Sequence, residues 1–491
     1  MTITIQPSKN GENTALADGL FLHSNYAPIK EAQRFVDNIK LPYNPKILII
    51  LEPGLSYISS FLKKHFPDIK IGVIRYDKFF SNYNAGFDFV LNYFEISDFE
   101  TYLESFFSEE DLLSTVFISW PASSQIFKEC ENKIWPSIKA AMERAKTLLI
   151  TRQYFEKKWL INCITFLSNL KKTICFNGKI EKDILIISSG PSIKPFINYI
   201  KENKEKFFII SLSSAISLCI KYNLKPDLCM TSDGGYWAGE HLKKLRRNDI
   251  PLAVTNEAFC PKAFLQNNTI LPLSYCDGIS KEITEASGLN CKEAVRNGTV
   301  SGTALLFAAR YGCKNIYMAG LDMAAQKGFQ HYQPNELEAN ASAFDNRIKN
   351  KESRLTRSQL TNGSLDIYKN WFCNNDLKLN NRKVYRLIEK ENKKNSLGWI
   401  KDLSLNDFSN LTKNLPQDKE KIFYSQEYNF NSKAIIDLLI HNKENEKWKK
   451  QLFPLDYVSL SHNNNEDIQN KLNKEWNKLI NKISGILNEY I

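Results

Sequence analysis

Three short stretches of this 491-residue chain hold residues that could do chemistry together. The first is Ser188-Ser189-Gly190-Pro191-Ser192. Gly190 lets a backbone approach a ligand closely. Pro191 has no N–H and suits the first position of a helix. Ser192 and the free amides of that first turn then face outward, where the helix dipole favours a phosphate by ~0.3–2 kcal/mol. An ordinary capped strand-to-helix turn has the same pattern. The second stretch is Gly298-Thr299-Val300-Ser301-Gly302-Thr303, which runs into an apolar helix. Ser301 and Thr303 bring hydroxyls, and Gly302 permits close approach. One such loop makes a cap; two in one sheet domain suggest a sugar nucleotide held through its phosphates by backbone amides. The third stretch is Asp322 with the loop Met323 to Tyr332, which contains Gly328, His331 and Tyr332. The chain has six histidines, and His331 is the one placed in a polar loop just after a strand end. Imidazole can take a proton from an acceptor hydroxyl near neutral pH, typically contributing ~10²–10⁴-fold.

These stretches need elements to position them, and the surrounding sequence supplies them. Between residues 151 and 375, short apolar runs alternate with helical segments. The runs are Ile184–Ser188, Phe207–Leu212, Leu228–Thr231, Leu252–Thr255 and Ile316–Ala319. Helices are expected over Pro195–Glu205, Ala215–Tyr222 and Thr303–Arg310. Continuous apolar strands between helices predict a mostly parallel sheet covered on both faces. Each candidate residue then falls at the carboxyl end of a strand: Ser188–Ser192, Ser213, Asp233, Asn256 and Asp322. Ligands of open α/β sheets bind outside those ends.

Residues 1–150 read as a separate α/β domain of Rossmann-like build. Ile47–Leu51 ends at Glu52-Pro53-Gly54, Ser56–Lys64 can form a helix, and Ile69–Ile74 leads to Asp77, which makes one βαβ unit. Thr115–Trp120 is a later strand. Gly54 stands alone where dinucleotide or methyl-donor sites need several glycines, so a structural or assembly role is expected. From 376 to 491 the chain is rich in lysine and asparagine, and a mainly helical domain is expected. Ile468, Leu472, Trp476, Leu479, Ile483 and Ile486 recur at helical spacing, as a packed face or a docking face.

Composition excludes several classes. With 43% hydrophobic residues the chain can build more than one core. The net charge of +11 is mostly lysine beside asparagine, as in 390–395 (KENKKN), without aromatics gathered on one element, so no nucleic-acid partner is expected. No apolar run approaches the roughly 20 residues that span a bilayer, and no signal peptide is read at the N-terminus; a cytoplasmic protein is expected. The ten cysteines form no CxxC pair and read as reduced thiols.

Four segments resemble the motility-associated-factor (Maf) family of flagellin glycosyltransferases: ILIISSGPSIKPFINYI, YNLKPDLCMTSDGGYW, SGTALLFAARYGCKNIYMAGLDMA and TNGSLDIYKNWF. The likeness spans roughly residues 180–375. The same core is similar to archaeal 6-hydroxymethylpterin diphosphokinases and, more distantly, to a family of bacterial sialyltransferases, so a sialyltransferase-like central sheet domain is implied. The resemblance implies transfer of a nonulosonic acid, such as pseudaminic or legionaminic acid, from a cytidine-monophosphate (CMP) sugar to serine or threonine of flagellin. No cofactor and no divalent metal are expected. By the same likeness Gly190 and Ser192, with Ser189 and Pro191, would hold the donor phosphate. Ser301, Gly302 and Thr303 would line the donor site; Ser213, Asp233 and Asn256 would contact nucleotide or sugar. His331 would deprotonate the acceptor, with Asp322 and Tyr332 beside it. Two positions depart from the sialyltransferases: Ser189 replaces an asparagine, and Ala324 stands where a tyrosine assists the leaving group. Two other readings stay open. A pterin diphosphokinase would use ATP and a metal on Asp233 and Asp322; a flagellin-binding protein would need no catalytic group.

Overall fold

The computed structural model describes residues 2–488, apart from 248–249, 324–330, 349, 351–362, 378, 380–381, 390–395, 418–421, 443 and 464–465. The chain forms two compact units. One comprises Met1–Glu156 with Glu444–Leu479, the other Lys157–Lys443 with Ile480–Ile491. The boundary expected at residue 150 lies inside a 42-residue helix, Lys128–Asn169.

In the first unit, Ile47–Leu51 is buried at every position because parallel strands flank it on both sides. The sheet order is Phe89–Asn92, Lys70–Arg75, Ile47–Leu51, Thr115–Ser119, all parallel. A second, antiparallel sheet is built from Ile3–Pro7, Asn13–Ala17 and Leu20–Phe21. The helices Glu446–Leu452 and Pro454–Asn463 also belong to this unit, with Trp448 and Phe453 fully buried.

The second unit is built on an 11-stranded sheet. Its path runs Lys401–Leu403, Val384–Leu387, Ile316–Ala319, Asp183–Ile187, Phe207–Leu212, Leu228–Thr231, Leu252–Thr255, Thr269–Ser274, Lys172–Cys175, Tyr424–Gln426. Every pairing is parallel except the last. The sheet is thus the expected mostly parallel one, and the fold is α/β. Strands from the lysine- and asparagine-rich stretch extend it at both edges. Val384–Leu387 joins because all four residues are buried and Arg386 is neutralised by Asp402, directly opposite on the next strand. From Ser432 onward the only elements among the described residues are helices.

Thr269–Ser274 carries Pro272, which hides it from a pattern reading of strands. The expected helix at Pro195–Glu205 is instead a 3₁₀ turn over Pro191–Phe196, a short helix Ile197–Glu202 and a further turn. In the last helix, Glu466–Asn488, the apolar face is buried at Leu472, Trp476, Leu479, Ile483 and Leu487, so it packs into the protein. All ten cysteines are free thiols. Among the described residues no helix is long and apolar enough to cross a membrane.

Candidate functional site

Strand order reverses at Asp183–Ile187 in the central sheet. From Asp183–Ile187 the chain proceeds through Phe207–Leu212, Leu228–Thr231, Leu252–Thr255 and Thr269–Ser274 in one direction. Ile316–Ala319 and Val384–Leu387 lie on the other side. Such a reversal opens a crevice at the strand carboxyl ends. Ser188–Ser192 and Gly320–Asp322 flank it.

These two strand ends are tied together. Ser188 N donates to Ala319 O at 2.8 Å, and Gly190 N to Gly320 O at 2.9 Å. Both glycines are required by the approach. A Cβ on Gly190 would lie 2.4 Å from Gly320 O, and Gly320, at φ +74°, would place one 2.4 Å from Ser188 O. Asp322 Oδ2 accepts from Ser192 N at 3.1 Å, so the first free amide of the Gly-Pro-Ser turn is bonded to the chain's own carboxylate. Burial raises the Asp322 carboxyl above its ordinary 3.8; hydrogen bonds from Ser192 and the charge of Arg386 pull the other way. A carboxylate on that amide competes with a phosphate there, and the helical turn that follows is short.

The neighbouring strand end joins through hydroxyls. Ser189 Oγ donates to Ser214 Oγ at 3.1 Å. Ser213 is buried beside it. Ser188 Oγ is buried without a hydrogen-bond partner, as is Thr231 Oγ1 two strands away.

His331 and Tyr332 arrive over this end. Tyr332 N donates to Ser189 O at 2.7 Å, which seats the loop on the turn. The Tyr332 hydroxyl meets that of Tyr222 at 3.1 Å, and this bond, with burial, pushes Tyr332 up to about 12. His331 Nδ1 lies 3.2 Å from Glu338 Oε1, with the ring 30% exposed and the carboxylate side chain 10%. A second pair holds the same helix, Glu336–Ser342: His241 Nδ1 is 3.2 Å from Glu336 Oε2, and Ser217 Oγ bonds Glu336 Oε1. Burial raises Glu336, but the bonds from His241 and Ser217 outweigh it and bring the carboxyl below its ordinary range.

The second small-residue loop is a capped turn. Thr299 Oγ1 accepts from Gly302 N at 2.9 Å, and Asn297 Oδ1 accepts from Thr299 N at 2.9 Å. A Cβ on Gly302 would lie 2.2 Å from Asn297 Oδ1. Thr303 Oγ1 accepts from Ser232 and Asn297, which fixes the helix Val300–Tyr311 to the end of Leu228–Thr231. Ser301 Oγ turns back to Thr299. Asp233 is exposed at that strand end and accepts from Gly235 N. Asn256 is fully buried, and its amide group donates to Thr284 at 2.9 Å.

The fold therefore gathers Ser188–Ser192, Ser213, Asp322, His331 and Tyr332 at the strand-order reversal. Ser301–Thr303 and Asp233 stand two strands away, at the end of Leu228–Thr231, and Asn256 is in the interior. Ala324 and Gly328 lie outside the described residues. Glu338, Tyr222 and Asn297 escaped the sequence reading. Only Glu338 left a trace, as an acid seven residues after a loop histidine. Among the described residues no group of three or more His, Cys, Asp or Glu forms a cluster that could hold a metal ion.

The first unit also reverses strand order, between Ile47–Leu51 and Thr115–Ser119. There the strand ends are filled. Glu52 and Arg75 are both fully buried and paired at 2.8 Å. Arg75 also donates to Gly54 O, Ser56 Oγ, Tyr83 O and Asn84 Oδ1. Burial pushes Glu52 up and Arg75 down, and their mutual attraction opposes both. His23 Nε2 accepts from Leu55 N at 2.9 Å, and burial with the Arg75 charge lowers its pKa to about 3.

Residues 157–328 match the family model described as 6-hydroxymethylpterin diphosphokinase MptE-like. An uncharacterized protein of Treponema pallidum (strain Nichols) is 25% identical over 311 residues, 63% of this chain and 67% of that protein. The solved structure of a Maf glycosyltransferase from Magnetospirillum magneticum AMB-1 superposes with a TM-score of 0.52 at 11% identity, covering 99% of this chain and 90% of that one. Residues 157–328 thus form an MptE-like domain, within a chain that shares the fold of a Maf glycosyltransferase.

Proposed function

We propose that this chain is a glycosyltransferase that moves a nonulosonic acid from a CMP-sugar to a serine or threonine of flagellin in the cytoplasm. The observation that carries the reading is the His331–Glu338 pair, seated over the strand-order reversal by the Tyr332 N–H to Ser189 O bond. The half-exposed imidazole would accept the acceptor hydroxyl's proton. The acceptor oxygen then bonds the anomeric carbon as the bond from that carbon to the phosphate oxygen breaks, and CMP departs. The transition state resembles an oxocarbenium ion, and the departing phosphate needs hydrogen-bond donors. Hydroxyls of Ser188, Ser189 and Tyr332 would supply them. The Ser192 amide, taken by Asp322, would serve mainly to shape the turn. Asp233 and the Ser301–Thr303 turn would face the nucleotide or sugar, with Ser213 beside them. Transfer would need no metal.

The test is intact mass of flagellin from cells carrying this chain, its His331→Ala variant, or neither. A nonulosonic-acid increment with the first alone supports the reading. The same increment with all three overturns it.

The MptE-like match favours a second reading, pyrophosphoryl transfer from ATP to a 6-hydroxymethylpterin with a divalent metal on Asp233 and Asp322. Incubation with that pterin, ATP and Mg²⁺, with and without EDTA, separates the two. Pterin diphosphate formed only without EDTA supports the kinase, whereas EDTA-resistant transfer from a CMP-sugar excludes it.

A further inference from the structure

A general base does its work only if its ring is turned correctly and holds the right tautomer. A carboxylate at Nδ1 does both, because it accepts the Nδ1 proton and leaves the lone pair on Nε2. His331 has such a carboxylate. Glu338 Oε1 lies 3.2 Å from His331 Nδ1 and also accepts from the His331 backbone N–H at 3.2 Å, so one oxygen fixes ring and main chain together.

Glu338 is itself held. It is the third residue of the helix Glu336–Ser342, whose N-cap, Asn335, accepts from the Leu337 and Glu338 amides. Asn335 is 1% exposed, and its Nδ2 donates to Ser214 O at 2.9 Å. Ser214 in turn receives the Ser189 hydroxyl. The carboxylate is therefore referenced to the Gly-Pro-Ser turn by a chain of hydrogen bonds, not by the loop alone. Burial of Glu338 to 8% and the partial exposure of His331 leave the ring as the part that meets solvent.

We infer that Glu338 is the positioning residue of this site: it locks His331 in the Nδ1–H tautomer with Nε2 free to take the acceptor proton. The inference rests on the transferase reading for its kinetic consequence, but its structural content is independent of that reading.

The experiment uses the full chain, with Glu338→Gln, Glu338→Asp and His331→Ala. Two readouts are taken: steady-state transfer from CMP-pseudaminic and CMP-legionaminic acid to purified flagellin, and long-range ¹H–¹⁵N spectra that report the tautomer of each of the six histidines. The expected result is a kcat lowered by about 10–100-fold in Glu338→Gln with KM unchanged, and partial recovery in Glu338→Asp. The His331 signals should move from the Nδ1–H pattern to a tautomer mixture in the glutamine variant. Full kcat in Glu338→Gln beside a dead His331→Ala would overturn the inference and leave the base reading standing. Full activity in His331→Ala would overturn the base reading; the tautomer spectra then decide the positioning alone, and identical His331 signals in wild type and Glu338→Gln would sink it. Should Glu338→Gln fail to fold, the same two readouts on Glu338→Asp decide the matter.

Discussion

The two parallel sheets of this molecule present the same topological opportunity and use it differently. Each reverses strand order, and each has a glycine-containing turn at the reversal. In the first unit the chain fills the strand ends with its own groups: Arg75 sits on Glu52, and His23 closes over Gly54. In the central unit the corresponding ends keep a half-exposed imidazole, a tyrosine pair and buried serine hydroxyls. A strand-order reversal marks where a ligand can bind. Which side chains occupy it decides whether one does.

Substitutions can break or sharpen that contrast. The largest effect is expected at the central reversal. His331→Ala should lower transfer to flagellin by ~10²–10⁴-fold without changing the thermal midpoint, measured by intact mass and initial rates. Undiminished transfer would remove the distinction between the two sheets. Next comes the closed end. Arg75→Ala leaves Glu52 in the interior without its ionic partner and should destabilise the first unit by about 3–5 kcal/mol in denaturant titration. Replacing both, as Glu52→Gln with Arg75→Met, should recover most of that loss. Transfer by the folded fraction should be unchanged in either case; a drop would show that the first unit also contributes to chemistry.

Gly320→Ala is expected to cost less. Its φ of +74° disfavours a Cβ by about 1–2 kcal/mol, and the contact with Ser188 O must also be relieved. Because the shift falls on the Ser188–Ser192 turn, the apparent affinity for donor should weaken along with stability. An unchanged donor KM would place the donor elsewhere.

The smallest effects are slopes with pH, and they have opposite signs in the two units. The native pKa of His23 is about 3 against an ordinary 6.5, so between those values the unfolded chain binds the proton. Stability of the first unit should therefore fall as pH drops through that window. Asp322 is raised above 3.8, chiefly by burial, so the native state keeps its proton longer. Its contribution is full below 3.8 and is lost as pH rises through the raised value. His23→Gln, which keeps an acceptor for the Leu55 amide, should remove the first slope, and Asp322→Asn the second. Denaturant midpoints across pH check both; a variant that follows wild type at every pH refutes the assignment of its slope.

Much of the architecture was legible because buried parallel strands are continuous apolar runs. Ile184–Ser188, Phe207–Leu212 and Ile316–Ala319 are short, apolar and bounded by turn residues, which favours strands, and the small residues that follow them mark strand ends. Thr269–Ser274 was not legible, since Pro272 reads as a breaker. Val384–Leu387 was not either, since Arg386 looks like surface until Asp402 stands across from it. The candidate site was legible in its strand-end members. Its two turns were read as amide cradles, but their acceptors, Asp322 for Ser192 and Thr299 for Gly302, are already in place.

Periodicity and residue type alone determined the α/β class, the mostly parallel central sheet and the strand-end positions of Ser188–Ser192, Asp233 and Asp322, since burial on both faces leaves that imprint locally. Only tertiary structure decided the partners. The order of strands put Ile316–Ala319 beside Asp183–Ile187, and loop closure brought Tyr332 onto Ser189 and Glu338 onto His331. Those pairings join residues distant in sequence or turned toward each other by a loop, and no local pattern encodes which acceptor a given amide or imidazole will find.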